Sequence, residues 1–462
     1  MTGYDFDFFV IGGGSGGVRA ARIAAGHGAR TGLAEARYLG GTCVNVGCVP
    51  KKLMVYASHF AQDFDDAGGF GWQVGPRTHD WPTLIANKDR EIARLNGIYQ
   101  RVLEGPGVTV FRQTATLLDP HTIALGDTRV TADTILIATG GQPTLPDDPG
   151  VKDHAICSDD VFHLPRRPER IIIVGGGYIA AEFAGVFHGL GTQVVQLYRR
   201  SLFLRGFDQD VRLALAEEMR TAGIDLRFNA IVTRLDRSAD GITAQLRDAG
   251  SLTADCVLYA TGRKPNTEGL GLDRVGVALS DSGAVRVDDD FRTSVPNIYA
   301  VGDVIHRIEL TPVAIAEGHA LADTLFANRP RGVSYDNVPS AVFSQPPVAS
   351  VGLTEEEARR RFRTVDIYKT SFRPMRHTMT GREAKTFMKL VVDADSDRVV
   401  GCHMVGHDGP EIIQGLAIAL NCGATKAQFD ATIGLHPTTA EEFVTMRTKA
   451  PDPGEAARQA AE

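Results

Sequence analysis

Phe6-Asp7-Phe8-Phe9-Val10-Ile11-Gly12-Gly13-Gly14-Ser15-Gly16-Gly17 decides how this chain folds. The first half is apolar but for Asp7 and reads as a parallel strand buried on both faces. The second half fits G-x-G-x-x-G at Gly12, Gly14 and Gly17. A helix is predicted from Val18 to His27, then a strand from Arg30 to Ala34 that ends at Glu35. Strand, glycine turn, helix, strand and acid together make a dinucleotide-binding unit. The glycines let the backbone approach a pyrophosphate, and the helix N-terminus offers amides and a positive dipole end. Glu35 can accept from a ribose hydroxyl.

The unit recurs. Arg170 to Val174 reads as a strand, Gly175-Gly176-Gly177-Tyr178-Ile179-Ala180 as its turn, Ile179 to His188 as a helix and Gln193 to Tyr198 as the second strand. In register, Gly12 falls on Gly175, Gly14 on Gly177, Gly17 on Ala180 and Glu35 on Tyr198. Arg199, Arg200 and Arg205 follow. The acid of the first copy repels a 2′-phosphate, whereas the arginines of the second pair with one. The second site is therefore expected to take NADPH rather than NADH.

At 462 residues the chain should hold about two to four domains. A net charge of −7 gives no reason to expect nucleic-acid binding. No apolar run is long enough to span a bilayer, and no signal peptide is evident. Six cysteines are too few for a disulfide framework, so a reducing, cytoplasmic setting is expected. In such a setting a close cysteine pair points to catalysis more than to structure.

Gly40-Gly41-Thr42-Cys43-Val44-Asn45-Val46-Gly47-Cys48-Val49-Pro50-Lys51-Lys52 holds such a pair. The C-x4-C spacing permits a bridge across a turn of helix or a tight loop, and by itself it equally suits two buried structural thiols. Further on, a helix is predicted from Pro82 to Glu104, with Ile92, Leu95, Tyr99 and Val102 on one face as a cover for the sheet. Thr134 to Thr139 reads as a strand ending in Gly140-Gly141, and residues 142–164 as a Pro- and Asp-rich linker. Asp255 to Gly262 repeats the A-T-G strand ending, with Arg263 next. Ile298 to Asp303 reads as a strand ending in an acid, and Leu310 to Ala314 opens a helix. Beyond Asn337, two short strands (Val391 to Ala394, Val399 to Val405) and a helix from Glu411 to Leu420 are expected. His436-Pro437-Thr438-Thr439-Ala440-Glu441-Glu442 follows.

These motifs together resemble the flavoprotein disulfide reductases (class I pyridine nucleotide-disulfide oxidoreductases) from about residue 5 to about residue 447. The Lys51-Lys52 pair is most similar to the glutathione reductase branch. The resemblance implies an α/β chain with two Rossmann-like dinucleotide-binding domains, for FAD and NADPH, plus an α+β dimerisation domain. The implied order is 1–143 for FAD, 144–265 for NADPH, 266–336 for FAD again and 337–450 for the dimer interface. Residues 451–462 are expected to be a disordered tail.

The resemblance also implies roles. Cys43 and Cys48 would form the redox-active disulfide, with Cys48 facing the flavin and Cys43 the substrate. His436 and Glu441 would be the acid–base pair, reaching the site from the other subunit of a homodimer. Lys51 would lie by the flavin and pair with Glu182, and Tyr178 would cover the nicotinamide pocket. Asp303 would contact the ribitol. Gly12, Gly14, Ser15, Gly16, Gly17, Glu35, Thr42, Ala115, Thr139, Gly140 and Thr311 would also hold FAD. Gly175, Gly176, Gly177, Ile179, Arg199, Arg205, Gly262 and Arg263 would hold NADPH, with Arg263 near the NADP phosphate.

Glutathione disulfide is the implied substrate, and another low-molecular-weight disulfide is the alternative. Arg19 and Arg22 suit its carboxylates, and Ser15, Tyr99 and His319 complete the expected contacts. Two positions depart from many glutathione reductases: His319 stands in place of an arginine and Glu91 in place of a tyrosine. An acid in place of Arg199 would suit lipoamide dehydrogenase. A terminal cysteine pair would suit mercuric reductase, and this chain has no cysteine after Cys422. Cys157, Cys256, Cys402 and Cys422 read as buried small residues.

Overall fold

A computed structural model describes residues 3–248 and 250–451. The tail expected to be disordered lies outside the described residues from 452 onward.

Phe6–Ile11 is the centre of a sheet in which Phe8, Phe9 and Val10 are fully buried. It pairs in parallel with Thr31–Ala34 on one side and Thr128–Ile137 on the other. Thr109–Phe111 extends the sheet beyond Thr31–Ala34. Ile298–Ala300 pairs in parallel with Thr128–Ile137, so the chain returns to its first sheet after more than a hundred residues elsewhere. The intervening stretch builds a second parallel sheet in the order Asp225–Phe228, Gln193–Tyr198, Arg170–Val174, Cys256–Tyr259. It also carries an antiparallel sheet of Val232–Ser238, Gly241–Leu246 and Ser251–Ala254, which no turn motif had signalled.

The two nucleotide units share their tight contacts. A Cβ on Gly12 would lie 2.4 Å from the Ala138 carbonyl oxygen, and one on Gly175 would lie 2.3 Å from that of Ala260. Both positions also have positive φ, so only glycine fits. The helix Ser15–Gly26 crosses the helix Thr311–Phe326 at glycines, since a Cβ on Gly318 would sit 2.4 Å from the Gly16 carbonyl oxygen. That crossing brings His319 beside Arg19.

Three expectations need correction. Residues 142–164 are not a plain linker, for they contain the short helices Val151–His154 and Ser158–Val161, with Val151, Val161 and Phe162 in the core. After residue 337 the structure has a five-stranded antiparallel sheet, ordered Ser340–Val342, Val348–Gly352, Arg398–Val405, Thr386–Asp393, Val365–Phe372. Three of these strands escaped sequence reading, because two are short and Ser-, Ala- or Gly-containing and the third carries Lys, Thr and Ser. Finally, of the four remaining cysteines only Cys256 and Cys402 are buried; Cys157 is half-buried and Cys422 exposed.

Candidate active site

One cavity of about 1150 Å³ runs from the first glycine turn to the cysteine pair. Gly12, Gly14, Ser15, Gly16, Glu35, Ala115, Thr139, Gly140 and Asp303 line it. So do Thr42, Cys43, Cys48, Lys51, Tyr178, Ile179, Glu182, Arg263 and Thr311. Gly14 caps the first helix with no side-chain hydrogen bond, so the leading amides stay available to an anion. A Cβ on Gly17 would lie 2.0 Å from the Gly12 carbonyl oxygen, which is why the turn can close there. Glu35 accepts from the Gly13 N–H at 2.7 Å and the Arg37 N–H at 2.7 Å, so its carboxylate is locked across the turn.

Cys43 lies in the short helix Gly41–Asn45 and Cys48 opens the helix Cys48–Asp66. Both are free thiols here, and each bears on the ionisation of the other. Donation to Cys48, reinforced by burial, pushes the Cys43 thiol far up. Accepting that bond, with the Lys51 charge nearby, brings Cys48 down to about 6 against the opposing effect of burial. The reduced pair therefore keeps its proton on Cys43 and its negative charge on Cys48. The Thr311 hydroxyl lies 3.9 Å from the Cys48 sulfur.

Lys51 Nζ donates to Glu182 Oε1 at 2.7 Å in a buried pair. The Phe343 N–H donates to the same oxygen at 2.9 Å, and the Phe343 ring lies under both Lys51 and Lys52, at 4.1 and 3.7 Å. Phe343 was not foreseen, since no local pattern marks a ring that arrives from a distant strand. Glu317 was also missed as a functional residue. It is buried, accepts from the Gly302 N–H at 2.7 Å and the Tyr335 hydroxyl at 2.8 Å, and so fixes the turn that presents Asp303. Burial, with the Glu309 charge, raises Asp303 to about 6 against the pull of Arg263.

The second glycine turn ends at Gly177, above which a Cβ would meet open space, and Tyr178 opens the next helix. Gly176 packs under the Tyr198 ring, and Gly262 closes the neighbouring strand end. Arg199 and Arg205 are exposed beyond Tyr198. Arg263 does not join them. Its guanidinium donates to the Gly141 carbonyl at 2.6 Å and lies 3.8 Å from Asp159, on the cavity wall with Asp303.

Arg19 Nη1 lies 3.5 Å from His319 Nδ1, and His319 Nε2 lies 3.6 Å from Asp323. Burial pushes His319 down, Asp323 opposes this, and Arg331, Arg19 and Arg22 add to it. A neutral ring thus accepts from Arg19 through Nδ1. Tyr99 is half-buried, and that burial raises its hydroxyl against the pull of the Arg19 charge. Arg94 forks onto the Glu91 carboxylate at 2.7 and 2.8 Å, and Glu91 is not part of the cavity wall.

His436 Nδ1 lies 3.1 Å from Glu441 Oε1 and 3.2 Å from Oε2. The His436 side chain is 78% exposed and is not part of the cavity wall. The structure therefore brings Cys43, Cys48, Lys51 and Glu182 together and leaves His436 and Glu441 on the outside of the same chain.

The two nucleotide turns and the dithiol at the cavity end define a dinucleotide-dependent dithiol oxidoreductase. The chain belongs to the pyridine nucleotide-disulphide oxidoreductase family, whose profile matches residues 6–318, with the family's dimerisation domain matching residues 338–447. It is 55% identical over 449 residues to a glutathione reductase of Burkholderia cepacia, covering 97% of this chain and all of that protein. It is 48% identical to a glutathione reductase of Nostoc sp., covering 96% of this chain and all of that one. It is 47% identical to the chloroplastic/mitochondrial glutathione reductase of Pisum sativum, covering 96% of this chain and 83% of that protein. Among solved structures, the HOCl-induced flavoprotein disulfide reductase RclA from Escherichia coli matches with a TM-score of 0.86 at 28% identity, covering 95% of this chain and 99% of that one. FAD and NADPH are the cofactors of this family, and the uncapped helix starts at Gly14 and Gly177 fit their pyrophosphates. Among the described residues no helix is long and apolar enough to cross a membrane, and no cluster could hold a metal ion.

Proposed function

We propose that this chain reduces glutathione disulfide with NADPH, as a homodimer in the cytoplasm. The observation that carries this reading is the Cys43–Cys48 pair on the wall of the cavity that the first glycine turn also lines, with the buried Lys51–Glu182 pair beside it. We also read the chain as the four segments set out above, with the NADPH segment inserted into the FAD segment. Bound FAD and NADPH would supply the two electrons that reduce the Cys43–Cys48 disulfide to the dithiol.

The rest of the work falls to side chains. Lys51, held by Glu182 and Phe343, keeps a cation beside Cys48. Tyr178 gates the coenzyme, and Arg199 and Arg205 take its 2′-phosphate. Arg19 and Arg22 take substrate carboxylates, while neutral His319 aligns Arg19 and Tyr99 borders Cys43. Cys43 as thiolate attacks one sulfur of the substrate, forms a mixed disulfide and releases the first thiolate. Cys48 then attacks the Cys43 sulfur, restores the bridge and releases the second. The proton on Cys43 must leave before attack and must reach the departing thiolate afterwards. His306 lines the cavity but its Nδ1 lies 2.6 Å from Glu309 Oε1, and His436 of the partner subunit is assigned both transfers, with Glu441 holding its tautomer. Ile433 (95% exposed) and Leu435 (76% exposed) flank His436 and supply apolar surface for the second copy.

The test is NADPH oxidation by the FAD-loaded dimer against glutathione disulfide, lipoamide, trypanothione disulfide and no disulfide. Glutathione disulfide is expected to turn over fastest. NADH is expected to be poorer by about 10- to 100-fold, the loss of one or two charge-assisted hydrogen bonds. Preferred turnover of another disulfide would refute the substrate assignment and leave the dithiol chemistry standing.

A further inference from the structure

Residues 199–207 join the strand Gln193–Tyr198 to the helix Gln209–Thr221 and carry Arg199, Arg200 and Arg205. The three side chains have no ion-pair partner among the described residues, so nothing at their tips fixes them. The backbone beneath them is fixed instead. Leu204 holds a left-handed conformation (φ 52°), which is costly for a residue with a Cβ. Its N–H donates to the Gly176 carbonyl at 2.6 Å, tying the loop to the glycine turn. Arg212 donates to the carbonyls of Phe203 and Leu202 at 2.6 and 2.7 Å.

The loop ends at Asp208, which is 1% exposed. Its Oδ1 caps the following helix through the Asp210 N–H at 3.0 Å, and its Oδ2 accepts from the Glu355 N–H at 3.0 Å. Into this corner reaches Lys389, from the strand Thr386–Asp393 of the five-stranded sheet. Its ammonium lies 2.9 Å from Asp208 Oδ1, 2.8 Å from Asp210 Oδ2 and 2.7 Å from Glu355 Oε2. His403, paired with Lys389 across the sheet, is buried and held neutral by that burial. One buried cation thus gathers three carboxylates, two from the coenzyme-binding segment and one from the dimerisation segment.

A buried ion cluster adds little stability over a well-packed apolar replacement, but it fixes one relative placement of the groups it joins. Phosphate recognition by arginine depends strongly on placement, and an error near 1 Å can cost orders of magnitude. We infer that Lys389 is a positioning residue for coenzyme selection: from the dimerisation segment it pins Asp208, and through Asp208 it sets the arginine loop for the 2′-phosphate. The inference rests on the reading of Arg199 and Arg205 given above.

The experiment is calorimetric titration of the FAD-loaded dimer with NADP⁺ and with NAD⁺, for the parent, Arg199→Ala, Lys389→Met and the double variant Asp210→Asn/Glu355→Gln. Binding stoichiometry reports the folded fraction, so the ratio of the two Kd values is free of losses in folding. Lys389→Met is expected to weaken NADP⁺ about tenfold and NAD⁺ less than about twofold. The double variant removes two of the three carboxylates that hold the Lys389 ammonium against Asp208, so it loosens the pin and should move the ratio the same way by about threefold, which keeps the test alive if Lys389→Met does not fold. Equal changes for both ligands, or no change, would mean a purely structural lysine and overturn the inference. If Arg199→Ala also leaves the ratio unchanged, the arginine reading falls with it. If only the Lys389 network variants leave it unchanged, the inference falls alone.

Discussion

Cys43→Ser is expected to lower glutathione disulfide turnover by about 10⁴-fold or more while NADPH still reduces the bound flavin at close to the parent rate. The two halves of the site separate at this residue. Cys48, Lys51, Thr311 and Glu182 all remain, so the surroundings of the flavin-facing thiolate change little. What disappears is the sulfur that attacks the substrate, and a serine hydroxyl cannot replace it at neutral pH. The check is steady-state turnover beside a rapid-mixing measurement of the NADPH half-reaction. Substantial turnover by Cys43→Ser would assign the attack to Cys48 and reverse the proposed order.

His436→Ala should lower kcat by about 10²- to 10⁴-fold, the usual contribution of a general acid–base group. Cys43 needs this group more than most thiols do, because its hydrogen bond to Cys48 raises it well above the ordinary thiol range. The exposed position of His436 gives the prediction a sharper form. Cys43→Ser and His436→Ala subunits should each be nearly inactive alone. Dissociated and reassociated in equal amounts, they should recover about a quarter of the parent activity, because about half the dimers are mixed and one of two sites in each is intact. A mixture as inactive as its parts would place the histidine in the same subunit as the cysteine it serves.

The parts of this site that were legible in the sequence are those whose chemistry is local. Gly12 to Glu35 and Gly175 to Arg199 declare themselves because a pyrophosphate needs a tight turn and a helix start within a few residues. Cys43 and Cys48 are close in sequence because they must touch. His436 and Glu441 are five apart because one orients the other. The parts that were not legible are made by convergence. Phe343 reaches Lys51, Lys52 and Glu182 from just past the strand Ser340–Val342, and Glu317 reaches the turn of Asp303 from one helix on. Lys389 meets Asp208 across 181 residues of chain. Arg263 sits next to a recognisable glycine, yet its buried bond to Gly141 turns it toward the flavin side. Glu91 looked like an intrusive charge, and Arg94 one turn away disposes of it.

The proposed reduction of the Cys43–Cys48 disulfide leaves a dithiol whose charge rests on Cys48. It is tested most directly by adding NADPH anaerobically to the FAD-loaded dimer, one equivalent per subunit, and recording the visible spectrum from pH 5 to pH 8. The account predicts a long-wavelength thiolate-to-flavin band and two newly titratable thiols per subunit. Because the Cys48 thiol is lowered to about 6, its thiolate persists above that pH, so the band should fade as the pH falls through about 6. Bleaching of the flavin with no such band and no new thiols would contradict it, for the electrons would then have stopped short of the cysteines.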